Sequence, residues 1–244
     1  MPSVFLSPST QERNPYVIGG TEEEYMNRIA DAMEPYLVSS GIRFGRNDPD
    51  QPLSAAINLS NSVPYDLHLA IHSNAAPPAT AGTVRGTDVY YNANSARGRD
   101  AAEIIAANFK SVYPDPDRVK TVPTVSLAEL VRTNAPAVLI EVAYHDNRED
   151  ADWIAGNIEA IARNLAQSVA QYLKVPFVEA QDPQTEKVTT RGGNLNIRTR
   201  PSTAAAILSS APNGSPITVL GTYGDWYVVN YNGLIGYAHS AYIR

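Results

Sequence analysis

Apolar positions in the first 175 residues follow two rhythms that take turns. Short unbroken apolar runs of strand length centre on 3–6, 42–45, 66–72, 87–91 and 137–143. Between them, apolar residues return every three or four positions and predict helices over 22–38, 98–112 and 148–173. Strands that read as continuous apolar runs and alternate with helices predict an α/β domain: a mostly parallel sheet flanked by helices on both faces. Two of the runs end in groups that are costly to bury. Residues 137–147 read Ala-Val-Leu-Ile-Glu-Val-Ala-Tyr-His-Asp-Asn and carry Glu141 to their polar end, while residues 65–74 end on His72, Ser73 and Asn74. In open α/β sheets the C-terminal strand ends are where sites are built, so Glu141 and His72 are candidate site residues.

The rhythm changes near residue 175. Residues 176–186, Pro-Phe-Val-Glu-Ala-Gln-Asp-Pro-Gln-Thr-Glu, read as a polar, proline-bounded linker between a domain over 1–175 and a second over 187–244. The second has short alternating runs at 195–198, 217–220, 226–229 and 234–237, separated by Gly192-Gly193, Pro212-Asn213-Gly214, Gly224-Asp225 and Asn232-Gly233. Short strands with such turns predict a small all-β barrel, in which Trp226 and the neighbouring tyrosines serve first as core. Thr21 followed by Glu24 is a capping-box pattern for the first helix, and Asp146-Asn147 can cap the last.

Composition narrows the classes. The 244 residues are 43% hydrophobic and 18% charged, and no apolar run approaches the roughly 18–20 residues that span a bilayer, so a membrane partner is not expected. The first residues, Met1-Pro2-Ser3-Val4-Phe5-Leu6, have neither a basic segment nor a continuous apolar core and read as a first strand rather than a signal peptide. The absence of cysteine excludes disulfides, thiolate metal sites and a cysteine nucleophile. Of the net charge of −6, residues 185–244 carry +3 (five basic side chains against two acidic), leaving −9 on residues 1–184. An acidic first domain argues against nucleic acid as a partner.

Three segments of the first domain resemble the zinc-dependent N-acetylmuramoyl-L-alanine amidases. Glu23-Glu24-Tyr25-Met26-Asn27 resembles the family's helix-opening motif, in which an acid four residues before an Asn binds metal; 66–75 resembles the strand that ends in a metal-binding His; and 132–147 resembles the strand bearing the catalytic glutamate. The resemblance implies Glu23 and His72 as ligands of one zinc ion, Glu141 as general base, and Asn74 and Arg132 as substrate contacts. Helical counting supports Glu23, since 23, 26, 30, 33 and 37 share one face and the last four are Met, Ala, Met and Leu. His68 shares a strand face with His72 but lies about 13 Å away at strand rise, too far to bind the same ion. Residues 193–202, 224–229 and 236–238 resemble the bacterial SH3 domain, a module that tethers enzymes to cell walls.

One position departs from the family. Where the loop after the first strand should read Asp-Pro-Gly-His-Gly, with its His as third ligand, this chain has Ser7-Pro8-Ser9-Thr10-Gln11. Thr10 is a poor replacement for an imidazole at a zinc that ordinarily has three protein ligands and a water. His145 is the available substitute. The resemblance implies a peptidoglycan hydrolase, a monomer acting at the cell wall or outside the cell, that cleaves the amide between N-acetylmuramic acid and L-alanine. The alternative is a degenerate amidase fold that binds peptidoglycan without turnover. A metal-free serine hydrolase has no Gly-x-Ser-x-Gly pattern to support it.

Overall fold

A computed structural model of the chain describes residues 2–244. It contains two compact units, one made of Ser3–Met33 and Phe44–Leu173, the other of Pro2, Glu34–Arg43 and Lys174–Arg244.

The first unit holds strands β1 (Ser3–Pro8), β2 (Arg43–Arg46), β3 (Leu67–Asn74), β4 (Thr87–Asn92), β5 (Val119–Thr124) and β6 (Ala137–Tyr144) in the order β2-β1-β3-β6-β4-β5. β1 with β3, β3 with β6 and β4 with β5 run parallel, while β4 runs antiparallel to β6. The sheet is therefore mostly parallel, with the reversal at β4. The β1, β3 and β6 residues Val4, Leu6, Leu67, Leu69, Ile71, Val138, Ile140 and Val142 alternate onto one face and have no exposure at all, which is why these strands read as unbroken apolar runs.

Helices α1 (Glu22–Ser39), whose residues from Glu34 onward belong to the second unit, α2 (Leu53–Ser62), α3 (Ala96–Phe109), α4 (Ala128–Val131), α5 (Arg148–Gly156) and α6 (Ile158–Tyr172) are the helices of the α/β part. The expected helix over 148–173 is two helices. Asn157 leaves helical geometry at φ −131°, ψ 23° and its side-chain amide donates to the Trp153 carbonyl, which ends α5 and lets α6 restart. Asn147 caps α5 as expected, its Oδ1 accepting from the amides of Glu149 and Asp150. β5, α2 and α4 are additions to the sequence reading. β5 contains Pro123, which suits it to the edge of the sheet, where it lies, and hides it from a search for apolar alternation.

Besides Glu34–Arg43, the second unit contains an all-antiparallel sheet of β7 (Gln184–Lys187), β8 (Leu195–Arg198), β9 (Ile207–Ala211), β10 (Pro216–Tyr223), β11 (Trp226–Tyr231) and β12 (Leu234–His239), in the order β7-β10-β11-β12-β8-β9. Its interior is Val188, Leu195, Ile197, Ala211, Ile217, Val219, Val229, Ala238 and Ile243. The segment read as a linker is fastened within this unit. The Val178 amide donates to Ser40 Oγ (2.9 Å) and the Gln181 amide to Ser39 Oγ (3.0 Å), and Val178 is buried with Leu220, Val228 and Tyr237.

Candidate active site

The strand register sets one polar cluster on an otherwise apolar sheet face. Phe5 and Ser7 of β1 stand beside His68 and Ala70 of β3; His68, Ala70 and His72 stand beside Ala137, Leu139 and Glu141 of β6; and Glu141 faces Asp88 of β4. Ala70, Ala137, Leu139 and Leu130 of α4 form a dry patch at the N-terminal side of that face. His72 and Glu141 are register partners at the C-terminal ends of two parallel strands, where the loops of such a sheet leave room for a ligand.

His72 stands between two carboxylates. Its Nδ1 is 2.9 Å from Glu22 Oε1 and its Nε2 is 3.3 Å from Glu129 Oε2. Glu22 opens α1 and is almost fully buried. It also accepts from Asn14 Nδ2 (2.7 Å), Gln11 Nε2 (3.5 Å) and the Ser73 amide (3.4 Å). Burial alone would raise its pKa, but the hydrogen bond and charge of His72, with Asn14 and Ser9, outweigh burial and hold the carboxyl below its usual range. The helix N-terminus favours the same charge. Glu129 is likewise buried, and despite burial its hydrogen bonds from His68 and His72 hold it well below the carboxylate range. Burial opposes charge on His72, yet its bonds to Glu129 and Glu22 push it up to about 10.

Glu129 is a junction. Its Oε1 accepts from Ser7 Oγ and faces His68 Nε2 at 3.2 Å, while its Oε2 faces His72. His68 is fully buried, stacks on Phe5 with ring centroids 5.4 Å apart, and has Ser60 Oγ of α2 at 2.9 Å from Nδ1. The two histidines that cannot share one ion are thus joined through one carboxylate.

Glu141 is the opposite case. Its Oε2 is enclosed without any hydrogen-bond partner. Burial is the main reason its pKa is pushed up to about 7; His72 pulls it down, and the charges of Glu22, Asp88 and Glu129 push it up again. A carboxyl that titrates near neutrality beside an open strand end can accept a proton from water.

The other expected residues fall as follows. Glu23 does not meet His72. It is partly exposed, its Oε1 accepts from Asn27 Nδ2 (3.2 Å), and its charged neighbours are Glu12, Asp50, Glu24 and Arg46. Glu22 rather than Glu23 stands beside His72 for a simple reason. Ile29, outside the stripe 23-26-30-33-37, is as fully buried as Met26, Ala30 and Met33, and it turns the inward face toward residue 22. At about 100° per residue Glu22 lies ~40° from Met26 on the Ile29 side, and Glu23 ~60° away on the other side. His145 has its Nδ1 committed to Ser73, 3.1 Å from Oγ and 2.9 Å from the carbonyl, and it stacks on Tyr16, whose hydroxyl donates to Ser73 Oγ (2.8 Å). Asn74 caps the Ala75 amide at 2.9 Å. Arg132 is exposed at the end of α4 and makes no ion pair with Glu141. Thr10 is partly buried, while Ser9 beside it is buried and supports Glu22.

Glu22 and His72 offer two donors of the kind a divalent cation takes. Three carboxylates, Glu22, Glu129 and Glu141, surround one imidazole, and one buried oxygen has no partner. Two ligands on a tetrahedral zinc lie about 3.3 Å apart, from bonds of roughly 2.0–2.1 Å; Glu22 Oε1 and His72 Nδ1 are 2.9 Å apart. Among the described residues no three His, Asp or Glu side chains converge tightly enough to hold an ion by themselves.

In the barrel, Trp226, His239 and Tyr242 form an aromatic ladder with ring centroids 5.3 and 5.8 Å apart. The ladder lines a groove with Asn194, Asn196 and Arg198. Trp226 packs partly against the core and presents its remaining surface to this groove.

Residues 8–174 match the family model for N-acetylmuramoyl-L-alanine amidase, and residues 193–244 match the model for the bacterial SH3 domain. No curated protein matches the chain. Among solved structures the chain is similar to N-acetylmuramoyl-L-alanine amidase AmiC2 of Nostoc punctiforme (20% identity, 71% of this chain and 97% of that one, TM-score 0.62). It is also similar to the catalytic domain of CwlV from Bacillus (Paenibacillus) polymyxa var. colistinus (17%, 72% and 100%, 0.63) and to an N-acetylmuramoyl-L-alanine amidase from Clostridium difficile 630 (19%, 71% and 97%, 0.63). At these identities the likeness is one of fold.

Proposed function

The chain belongs to the N-acetylmuramoyl-L-alanine amidase family, and from that premise we propose that it hydrolyses the amide between N-acetylmuramic acid and the L-alanine of the peptidoglycan stem, with Glu141 as general base. The observation that carries the reading is Glu141 itself: a carboxylate poised near neutrality, with an unpartnered enclosed oxygen, in register with His72 at the open end of the sheet.

Glu22 and His72 Nδ1 would hold the cation, zinc in this family, which when bound supplies a Lewis acid that polarises the amide carbonyl and lowers the pKa of water. The chain's own residues do the rest. Glu141 takes a proton from the attacking water and returns it to the leaving nitrogen, so that the alanine departs as a neutral amine and the base is regenerated. Asn74, two residues past His72 at the end of β3, would contact substrate beyond the reacting bond, whereas Arg132, at the end of α4 beside the dry patch on the N-terminal side of the face, lies away from the reacting end. The aromatic ladder and its amide-rich rim in the barrel suit a wall polymer with sugar rings and peptide amides, which supports action at the cell wall. No helix among the described residues is long and apolar enough to cross a membrane.

Thr10, in place of the third histidine, favours a second reading in which the fold binds peptidoglycan without turnover. Release of stem peptide from purified sacculi separates the two. Turnover that falls by roughly 10²–10⁴ in Glu141→Gln supports the hydrolase; no turnover from zinc-supplemented wild type, with sacculus binding intact, supports the binder.

A further inference from the structure

We infer that Glu129 is the positioning residue of this site: it holds His72 through Nε2 so that Nδ1 is presented to Glu22 and to the metal, in a chain that lacks the third histidine. The inference rests on the metal reading above and extends it to a residue that neither the sequence motifs nor that reading employs.

A metal-bound histidine is a good ligand when its other ring nitrogen donates to a carboxylate. That bond fixes which nitrogen carries the proton, locks the ring plane and strengthens the lone pair on the other side. His72 has this arrangement, with Glu22 at Nδ1 and Glu129 at Nε2. Glu129 is unusually well set for the role. It is buried, it sits on a one-turn helix anchored by Leu130 in the dry patch, and its other oxygen is held by Ser7 and by His68, which is itself pinned by Ser60 and Phe5. Ser7 of β1 brings to this face no charge of its own and instead donates to Glu129, so the carboxylate here comes from α4. A two-ligand site has more need of a fixed imidazole than a three-ligand one, because each missing donor leaves the remaining ones to set the ion's position.

The chemistry of the amide makes Glu129→Gln a sharp test. Glu129 faces three donors, Ser7 Oγ, His68 Nε2 and His72 Nε2. A glutamine there has one acceptor oxygen and one donor nitrogen. If the nitrogen faces His72, the ring must accept at Nε2 and carry its proton on Nδ1, the position that should bind metal. If the oxygen faces His72, the nitrogen must donate to Ser7 Oγ and to His68 Nε2, which forces His68 into its other tautomer, and His72 Nε2 exchanges a charged acceptor for a neutral one. Either way His72 is held less well.

Zinc is titrated into chelator-treated full-length wild type and Glu129→Gln by competition with a chromophoric chelator, and the histidine ring nitrogens of the zinc-loaded wild type are assigned by ¹⁵N NMR. The expected result is a loss of about 10–100-fold in zinc affinity for the variant, with wild-type His72 zinc-bound at Nδ1 and protonated at Nε2. The spectrum of the wild type tests the inference even if the variant does not fold. Equal affinity in the two proteins, or a wild-type His72 bound through Nε2, overturns the role of Glu129 while leaving the metal reading intact. A wild type that binds no zinc overturns both.

Discussion

Replacing Glu141 by Gln should stabilise the metal-free protein at neutral and alkaline pH while removing its base. The carboxyl lies at 4.5 when freely solvated and is pushed up to about 7 in the fold, chiefly by burial. A carboxylic acid raised in the folded state keeps its full contribution to stability below about 4.5 and loses it as pH rises through about 7, because the fold then has to hold a desolvated charge that the unfolded chain gives to water. At about 1.4 kcal/mol for each tenfold change in the proton equilibrium, the displacement from 4.5 to about 7 comes to about 3 kcal/mol. The open edge of the site, where water reaches the group, makes this an upper figure. Glutamine cannot ionise, so it avoids the cost. It still leaves a polar atom without a partner at every pH, so the informative quantity is the change in the stability difference with pH. At pH 5 the ionisation cost in wild type is under about 1 kcal/mol, and at pH 8 it approaches the full value. For a domain of this size the gain corresponds to roughly 6–12 °C in melting temperature. Thermal unfolding of both proteins in excess chelator, followed from pH 5 to pH 8, reads it directly. A stability difference that stays flat over that range would show that Glu141 is not a desolvated acid, and with it would go the argument that the site tunes this carboxyl to act as a base.

The structure separates the adjacent acids at the start of α1: Glu22→Gln should weaken zinc binding at least tenfold, whereas Glu23→Gln should leave it unchanged, and calorimetric titration giving the reverse order would restore the helical count that favours Glu23. Trp226→Ala combined with Tyr242→Ala should reduce cosedimentation with sacculi and spare hydrolysis of a small soluble muramoyl-peptide; parallel losses in both assays would place the groove outside wall recognition. In Gly221→Ala the new methyl would press on the Ser39 carbonyl and, at 2.9 Å, on Val178, so the barrel unit should lose about 1–3 kcal/mol in denaturant unfolding; an unchanged midpoint would contradict the packing of residue 178 there.

What the sequence determined by itself is whatever has a period or a local cap. The apolar runs specify β1, β3 and β6, because a strand buried on both faces has no polar position to spare except at its end, and that end is where His72 and Glu141 sit. The change from helical to twofold rhythm near residue 175 marks the onset of the barrel strands, although it does not reveal that Glu34–Arg43 belong to the barrel's compact unit, and Asn147 announces α5 because its side chain bonds amides two and three residues away. The tertiary structure decided the rest. Which glutamate of 22–24 faces inward depends on a stripe whose centre is set by Ile29, a signal present in the sequence but overridden by the match of Glu23 to a motif. Glu129 has almost no local signal: α4 is a single turn, too short for a period, and the only hint was an acid set between Leu127 and Leu130. Its partners Ser7, His68 and His72 lie 57–122 residues away along the chain, so only the packing of α4 over the sheet makes them neighbours. The same holds for the charge state of the site. A lone histidine or glutamate has its solution pKa by default, and the shifts at His72, Glu129 and Glu141 arise because folding removes water from all three and leaves them to one another.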